Sequence, residues 1–312
     1  MTQRPFKQLP LAQLPPFPSP AHPFFSWPQR RVRITSRAFG HAKVAYREAG
    51  EGPPVLLVHG LMTSGYSWRY FMPLLAQHHR VIAFDLVGCG DSGKPRVTYG
   101  AIELATFIGE VQAALGLVGC PIIGNSLGGY LGMWLALQRP SAVQALVNIH
   151  SPGVPLPRLW ALRSALRAPG GVRLLNWLVR SQPERWVHKN VHYWDEARKS
   201  REEAREYARP LRSVAGRAAF ASYLRDALDP AMMQRLLTRL ERAPFEVPLQ
   251  LIYARRDPLV PPKVGDRLAA LLPDAEMVRL NHCSHFAHVD RPEAVLEVVL
   301  PFLRRHGAGP TD

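Results

Sequence analysis

The middle of the chain reads Pro121-Ile122-Ile123-Gly124-Asn125-Ser126-Leu127-Gly128-Gly129. Its first residues form an apolar run typical of a buried strand, and a helical pattern begins directly after the serine and continues to residue 138. A serine between a strand and a helix occupies a sharp turn, in which glycines two residues before and after it relieve steric crowding. The G-x-S-x-G spacing in this context therefore predicts that the Ser126 hydroxyl stands clear of a sheet at a helix N-terminus, as a nucleophile does.

Short apolar runs on both sides of this segment predict further strands of the same sheet. They lie at 55–58, 81–84, 145–149, 249–253 and 277–280, and an alternating hairpin pattern precedes them at 31–37 and 42–48. Helical patterns lie between most of the strands, at 67–77, 101–115, 127–138, 264–272 and 293–304. This alternation predicts an α/β fold with a mostly parallel eight-stranded sheet and helices on both faces.

The alternation is interrupted between residues 153 and 244, where only helical patterns occur. We interpret 153–244 as an all-helical insertion into a core formed by 29–152 and 245–312. The insertion is basic, with 18 Lys and Arg against 9 Asp and Glu between residues 151 and 245. Residues 1–28 hold eight prolines, which exclude a helix or an inner strand and leave either an extended surface segment or a disordered leader.

The chain of 312 residues carries a net charge of +15. Arginines spread singly along helices are the simpler explanation of this charge, since no pattern of a nucleic-acid-binding motif occurs and we expect no nucleic-acid partner. Weak surface association with anionic lipid remains compatible with the charge. The composition does not determine the oligomeric state.

Cysteine usage and hydropathy indicate the compartment. The three cysteines, Cys89, Cys120 and Cys283, are widely spaced, which favours free thiols in a reducing environment. No apolar run approaches the ~20 residues of a membrane helix, and no signal peptide is evident. We therefore expect a cytoplasmic protein.

A serine hydroxyl needs an adjacent base to act as a nucleophile, and the chain has 12 histidines. Three of them, His282, His285 and His288, lie between the last predicted strand and the last predicted helix. That segment is a loop at the carboxyl edge of the sheet, where open α/β sheets bind ligands. Spacing alone does not distinguish these three histidines.

Asp257 follows the strand pattern at 249–253 and is expected at the same edge of the sheet as Ser126. A turn aspartate before proline is a common alternative, but the order Ser, Asp, His along the chain favours a role in orienting the base. The backbone amides of Leu61 and Leu127 are the candidate donors to an oxyanion, because Gly60 allows the chain to bend after the strand at 55–58. The glycine-rich segment 85–92 lacks the G-K-[ST] ending of a phosphate-binding loop. Neither a metal nor a cofactor is expected.

The sequence resembles the α/β-hydrolase superfamily from about residue 32 to residue 305, in five blocks that occur in the family's order. These blocks are His59-Gly60-Leu61 with Ser67-Trp68, Asp85 with Gly88-Cys89-Gly90-Asp91-Ser92, the segment 124–129, Arg256-Asp257-Pro258-Leu259-Val260-Pro261, and the segment 285–292. In the family an acid follows the base by five residues and a proline by seven, so the resemblance selects His285, which Asp290 and Pro292 follow. It also implies that 153–244 forms a helical cap over the site.

Two branches of the superfamily share parts of this pattern. The blocks around Trp68 and His285 are similar to epoxide hydrolases and haloalkane dehalogenases, whose nucleophile is an aspartate, and Ser126 argues against both chemistries. The segment 124–129 resembles the meta-cleavage-product hydrolases, which break carbon–carbon bonds, although their base is usually followed by tryptophan and here by Phe286.

The resemblance implies a carboxylesterase-like serine hydrolase that acts on an apolar small-molecule acyl compound. Carbon–carbon bond hydrolysis and a non-catalytic binding role on the same fold are the alternatives. Aromatic residues of the cap are candidates for lining the pocket, although packing inside the cap is the commoner role of any one of them: Trp160, Trp177, Trp186, Tyr193 and Trp194.

Overall fold

A computed structural model describes residues 5–307 of the chain. Within these residues one eight-stranded sheet has the order β1-β2-β4-β3-β5-β6-β7-β8. The strands are β1 (Arg30–Ser36), β2 (Gly40–Ala49), β3 (Pro54–Val58), β4 (Arg80–Phe84), β5 (Ile122–Asn125), β6 (Leu146–Ile149), β7 (Leu249–Ala254) and β8 (Glu276–Leu280). β2 pairs antiparallel with β1 and β4, and the other neighbours are parallel. The predicted α/β fold class is confirmed.

Helices pack on both faces of the sheet and enclose two apolar cores. Across the described residues the α-helices are α1 (Phe71–Leu75), α2 (Ala101–Leu115), α3 (Leu127–Gln138), α4 (Pro157–Arg167), α5 (Gly171–Ser181), α6 (Pro183–Asn190), α7 (Arg201–Ala208), α8 (Val214–Ser222), α9 (Pro230–Arg242), α10 (Pro262–Leu271), α11 (Ala287–Asp290) and α12 (Pro292–Arg305). None of them is long and apolar enough to span a bilayer.

The central strands are apolar throughout because both of their faces are covered. In β3, Leu56 and Val58 point into one core while Val55 and Leu57 point into the other, as the two-residue period of a strand requires. All four side chains are fully buried, and burial of each contributes about 1.5–3 kcal/mol to stability. The buried central strands hold the loops at their carboxyl ends in fixed positions.

Some elements differ from the sequence prediction. The helix predicted at 67–77 is a 3-10 turn over Gly65–Trp68 followed by the short α1, because Pro73 has no amide hydrogen and fits only the first turn of a helix. β8 is a half-buried edge strand rather than a fully buried one. The short, polar α6 and the one-turn α11 were not predicted.

α4 to α9 lie between β6 and β7, and the part of the chain described here contains no strand in that interval. We call residues 153–244 the proposed cap. A buried ion pair joins it to the core, between Arg69 after the 3-10 turn and Glu203 of α7. The Tyr193 hydroxyl also donates to Glu203, at 2.6 Å.

The Pro-rich segment, of which residues 5–28 are described, lies across both the proposed cap and the core. The Arg201 amide donates to the Pro15 carbonyl at 2.8 Å, and the Glu202 amide donates to the Pro16 carbonyl at 3.1 Å. The Tyr70 hydroxyl of the core donates to the Pro20 carbonyl at 2.9 Å. From residue 5 onward the segment therefore follows the surface, with 3-10 turns at Leu11–Gln13 and Phe24–Ser26, while residues 1–4 lie outside the described part of the chain.

Candidate active site

Ser126 occupies the turn between β5 and α3 with φ 53° and ψ −119°. A positive φ is unfavourable for a residue with a side chain and costs about 1–3 kcal/mol, so the surrounding packing must enforce it. Two glycines make this packing possible, since a Cβ at Gly128 would overlap the Val58 carbonyl and a Cβ at Gly124 would overlap the Gly129 amide. Any larger residue at position 124 or 128 would therefore prevent this close approach of β5, α3 and the neighbouring β3.

Asp257 and His285 meet at the carboxyl edge of the sheet, from the loops after β7 and β8. His285 Nδ1 lies 2.7 Å from Asp257 Oδ2. The other carboxylate oxygen, Oδ1, accepts the amides of Leu259 at 2.6 Å and of Val260 at 2.9 Å, so the carboxylate is fixed in its turn. An ionised carboxylate only accepts, so the proton of the imidazole is on Nδ1 and Nε2 is free to act as a base.

His150 contacts the same carboxylate from the end of β6. Its Nε2 accepts the amide of Ala254 at 3.1 Å, which leaves the proton on Nδ1, and Nδ1 lies 3.0 Å from Asp257 Oδ2. Asp257 thus lies between two imidazoles. Burial alone would raise the pKa of Asp257, but His285 and His150 outweigh burial and hold that pKa well below its ordinary value. Burial lowers the pKa of His150, which therefore stays neutral.

His150, Asp257 and His285 also have the donor types of a metal site, with ligand atoms within 4.8 Å of one another. In a tetrahedral site with bonds of about 2.0–2.1 Å, ligand atoms lie roughly 3.3 Å apart. The separation of 2.7 Å between Asp257 Oδ2 and His285 Nδ1 is instead that of a hydrogen bond, and the 3.0 Å between Oδ2 and His150 Nδ1 is also shorter than the spacing of two ligands on one ion. The geometry fits a proton between each pair better than it fits an ion.

Ser126 and His285 both line one cavity of about 480 Å³ between the sheet edge and the proposed cap. Both side chains therefore face the same space. Among the described residues, however, the Ser126 hydroxyl has no hydrogen-bond partner, and it forms no hydrogen bond with His285. Such bonds often form only when substrate is present. Most of the lining is aliphatic, including Leu159 and Leu162 of α4 and Leu175 of α5.

One candidate oxyanion donor, Leu127, directly follows Ser126, and the other, Leu61, directly follows Gly60. Leu61 lines the cavity, and the Leu127 amide begins α3 and so has no acceptor within its helix. His59 supports this loop: its Nε2 accepts the Leu86 amide at 3.0 Å, and its Nδ1 lies 2.8 Å from the Gly60 carbonyl. Burial lowers the pKa of His59, so the ring is neutral and structural.

The three histidines that spacing did not distinguish have different surroundings. His282 is exposed and packs against Trp194. His288 is fully buried against Trp68, with ring centroids 4.3 Å apart, and burial lowers its pKa well below the ordinary value. His285 alone of the three contacts both Asp257 and the cavity.

Two buried side chains hold the loop that carries His285. Asn125 of β5 donates through Nδ2 to the His285 carbonyl at 3.0 Å. Asp290 accepts the Ser284 amide at 2.7 Å and, from the proposed cap, the Trp194 amide at 3.0 Å. Burial raises the pKa of Asp290 to about 6 in spite of these amides, which favour its charged form.

Comparison with known proteins agrees with this architecture. The family model described as alpha/beta hydrolase fold matches residues 53–292. The chain belongs to the alpha/beta hydrolase fold family. It is 26% identical over 278 residues to 2-hydroxy-6-oxo-6-(2'-aminophenyl)hexa-2,4-dienoic acid hydrolase of Metapseudomonas resinovorans, covering 85% of this chain and 89% of that protein. It is 27% identical over 273 residues to 2-hydroxy-6-oxo-2,4-heptadienoate hydrolase of Pseudomonas putida, covering 85% and 94%.

Among solved structures, a malate-bound thermophilic esterase from Thermogutta terrifontis superposes with a TM-score of 0.72. It is 22% identical to this alpha/beta hydrolase and covers 89% of this chain and 99% of its own. This similarity shows the shared fold. Both of these curated relatives are named as hydrolases, which agrees with the sequence resemblance.

The aromatic residues of the proposed cap have separate places in this alpha/beta hydrolase. Trp186 lines the cavity, whereas Trp160 and Trp177 are exposed to solvent. Tyr193 is buried beside Glu203, and Trp194 packs against Phe6. Pocket lining is therefore limited to one of the five candidates.

His150 is the site residue that sequence reasoning missed. It directly follows β6, so its position at the carboxyl end of a parallel strand was the available signal. Like Ser126, it has a φ of 53°, which turns its ring toward Asp257. No local motif marks such a histidine, and its partner lies 107 positions further along the chain.

Proposed function

We propose that this alpha/beta hydrolase is a carboxylesterase-like serine hydrolase that cleaves an ester or related acyl compound through an acyl-enzyme intermediate. Ser126 would be the nucleophile, His285 its base and Asp257 the residue that orients the base. The observation that carries the proposal is the Asp257–His285 hydrogen bond of 2.7 Å at the wall of an apolar cavity that Ser126 also lines.

Acylation begins when His285 Nε2 removes the proton of the Ser126 hydroxyl while Oγ attacks the carbonyl carbon. The carbonyl π electrons move to its oxygen, and the amides of Leu61 and Leu127 donate to this oxyanion. Collapse of the tetrahedral intermediate breaks the bond to the leaving alcohol, which takes the proton from His285. The products of this half-reaction are the alcohol and the Ser126 ester.

Deacylation repeats these steps with water. His285 removes a proton from water, whose oxygen attacks the acyl carbon, and the second tetrahedral intermediate expels Ser126. The serine recovers its proton from the imidazole, and the carboxylic acid leaves. Asp257 remains ionised in both steps, because its depressed pKa keeps it charged at neutral pH. No cofactor or metal takes part.

The cavity favours an apolar acyl group. Its lining includes Val154, Leu159, Phe220, Leu224 and Leu228, and Arg158 is the only Lys, Arg, Asp or Glu among the described lining residues. Arg158 is exposed, and its Nη1 lies 3.4 Å from the Pro258 carbonyl. A substrate that buries a carboxylate would therefore find no buried cation in this lining.

A panel of p-nitrophenyl esters from acetate to laurate tests the proposal. We expect kcat/KM to rise with acyl length up to the chain that fills the cavity, and to fall at least about 10³-fold in Ser126→Ala. Ser141→Ala is the matched control, since Ser141 is exposed and lies outside the cavity lining. Ester hydrolysis that survives unchanged in Ser126→Ala contradicts the proposal.

Carbon–carbon bond hydrolysis is the second candidate, favoured by the two relatives whose names specify dienoic acids. It would use the same three residues. A ring-fission dienoate that is turned over faster than every ester in the panel would select it. Arg158→Gln would then raise KM for the dienoate and leave KM for neutral esters unchanged.

A binding role without catalysis is the third candidate. It predicts that neither esters nor dienoates are turned over, while an apolar ligand still stabilises the protein against heat. The hydrogen-bonded Asp257–His285 pair argues against this role, because a pocket that only binds does not need an oriented base.

A further inference from the structure

The structure points to a membrane-docking surface on the proposed cap: we propose that the outer faces of α4 and α5 bind the surface of a bilayer that contains anionic lipid. This inference concerns the face opposite the cavity and does not depend on the reaction at Ser126.

The outer surface of α5 is apolar. Leu174, Trp177 and Leu178 are 58%, 67% and 43% exposed, whereas Leu175 and Val179 on the opposite side are buried. The spacing of three and four residues places the exposed side chains on one face of the helix. Leucine and tryptophan together form the composition with which an amphipathic helix enters the headgroup region.

α4 extends this surface. Trp160 is 44% exposed, and the Arg163 guanidinium lies 5.7 Å from the centroid of its ring. α4 and α5 pack against each other and are joined by only three residues, 168–170. Each of the two helices therefore carries one exposed tryptophan, a residue that favours the boundary between lipid and water.

The charge of the patch is of one sign. Residues 157–181 contain no acidic residue and five arginines, of which Arg158 lines the cavity and the other four are Arg163, Arg167, Arg173 and Arg180. Arg163 and Arg167 face Asp229, at 2.9 and 3.8 Å. Among the described residues Arg173 and Arg180 form no ion pair, and the nearby Glu184 pairs with Arg212. An anionic surface complements such a patch, at about 1 kcal/mol for each arginine near the lipid.

The same charge argues against a second copy of the chain as the occupant. A two-fold interface through this surface would bring two sets of arginines and no acidic residue of α4 or α5 into one contact, and the like charges would repel. A cluster of exposed apolar side chains is typical of a binding surface. A bilayer provides both negative charge and an apolar layer.

Vesicle sedimentation tests the proposal, with Ser126→Ala protein so that no lipid is hydrolysed. We expect binding to vesicles of phosphatidylglycerol and phosphatidylcholine, and at least about tenfold weaker binding to phosphatidylcholine alone. Arg173→Gln/Arg180→Gln should lower the partition coefficient on the anionic vesicles about tenfold or more. Leu174→Ser/Trp177→Ser should lower it on the same vesicles by a similar factor, although it changes no charge.

The matched control is Arg33→Gln/Arg37→Gln, which removes the same charge from exposed positions on and directly after β1. It should change binding less than about twofold. Loss of binding equal to that of the Arg173/Arg180 pair would show general charge attraction and overturn the proposal, as would no binding to anionic vesicles. A dimer in sedimentation velocity that Leu174→Ser/Trp177→Ser abolishes would assign the surface to a second copy and also overturn it.

Discussion

Asp257 has the largest number of polar contacts of the candidate site residues. Two imidazoles approach Oδ2 and two amides donate to Oδ1. Each contact favours the charged form, and together they outweigh the burial that opposes it. A carboxylate held in this way keeps His285 in one tautomer and one orientation, which is the requirement that general-base catalysis places on it.

His150 is expected to act as a positioning residue through Asp257. His150→Ala removes one imidazole from the carboxylate and leaves the Ala254 amide without its acceptor, so the pKa of Asp257 should rise. We expect kcat for a preferred ester to fall about tenfold with KM unchanged, and the acid limb of the kcat profile to change shape. Steady-state kinetics from pH 4 to pH 9 measure both effects.

His150→Asn is the control for this prediction. Asparagine tolerates a positive φ and can donate its side-chain amide to Asp257. It should restore most of kcat and the wild-type pH profile. A purely structural role of His150 would lower kcat in His150→Ala without altering the profile, and that outcome would contradict the positioning role.

The candidate site residues differ in how strongly the local sequence indicates them, for physical reasons. Ser126 lies in a turn whose glycines leave a local pattern, and Asp257 directly follows a strand. His285 required the family resemblance, because three loop histidines have the same local signal. His150 acts through a partner that only the parallel order of β6 and β7 brings near, so no short segment contains the signal.

At the scale of elements, the Arg69–Glu203 ion pair joins the core to α7. Arg69 is 0% exposed, and burial raises the pKa of Glu203 although Arg69 opposes the shift. The neighbouring Tyr193, Tyr66 and Glu203 in turn raise the pKa of Arg69 despite its burial. The desolvation cost of a buried ion pair commonly offsets much of its attraction. The pair should determine how the cap attaches more than it increases total stability.

Arg69→Met is expected to destabilise the protein by about 3–5 kcal/mol, because it leaves a buried carboxylate without its cation. Arg69→Met/Glu203→Leu should recover about 2 kcal/mol relative to the sum of the single variants. Urea unfolding of the four proteins measures this coupling. Strictly additive effects would show that the two side chains do not interact in the folded protein.

Asp290 links the His285 loop to the cap, and its raised pKa predicts a pH dependence of stability. Its folded-state pKa of about 6 exceeds the ordinary 3.8. The stability it contributes is therefore fully present below pH 3.8 and lost as the pH rises through about 6. Relative to Asp290→Asn, wild type should lose about 3 kcal/mol between pH 4 and pH 7.

Urea unfolding at several pH values measures this difference. The exposed Asp274→Asn is the control and should follow wild type at every pH. Parallel curves for wild type and Asp290→Asn would contradict the prediction.

The longer helices beside the sheet were predictable. α2 and α3 begin and end where the predicted helices do, and α3 is buried on nearly all sides against the sheet and its neighbours. α6 and α11 were missed because they are short, with eight and four residues. Helix propensity and the apolar period of the sequence are sufficient to predict only the longer helices.

At the scale of the whole molecule, the Pro-rich segment connects the proposed cap to the core. Deleting residues 1–21 would remove its hydrogen bonds to His188, Arg201, Glu202 and Tyr70, each of about 0.5–1.5 kcal/mol. We expect faster hydrogen–deuterium exchange in α6 and α7 and unchanged exchange in β5 and β6. Equal acceleration everywhere would indicate global destabilisation instead of release of the cap.

The sequence pattern left the course of this segment open, because proline excludes helix and inner strand but does not specify a partner. The contacts that fix the segment lie about 180 residues away in the cap. Long-range contacts of this kind have no trace in local composition. The lining of the cavity could not be predicted from local sequence either, because it depends on how α4 to α8 pack.

The central claim is that Ser126 is an activated nucleophile, and covalent labelling tests it most directly. The protein is treated with a fluorophosphonate, and the modified peptide is located by mass spectrometry in wild type, Ser126→Ala and His285→Ala. The account predicts one label on wild type, located at Ser126, with none on Ser126→Ala and much slower labelling of His285→Ala. An unlabelled wild type, or a label at another residue that persists in Ser126→Ala, would contradict it.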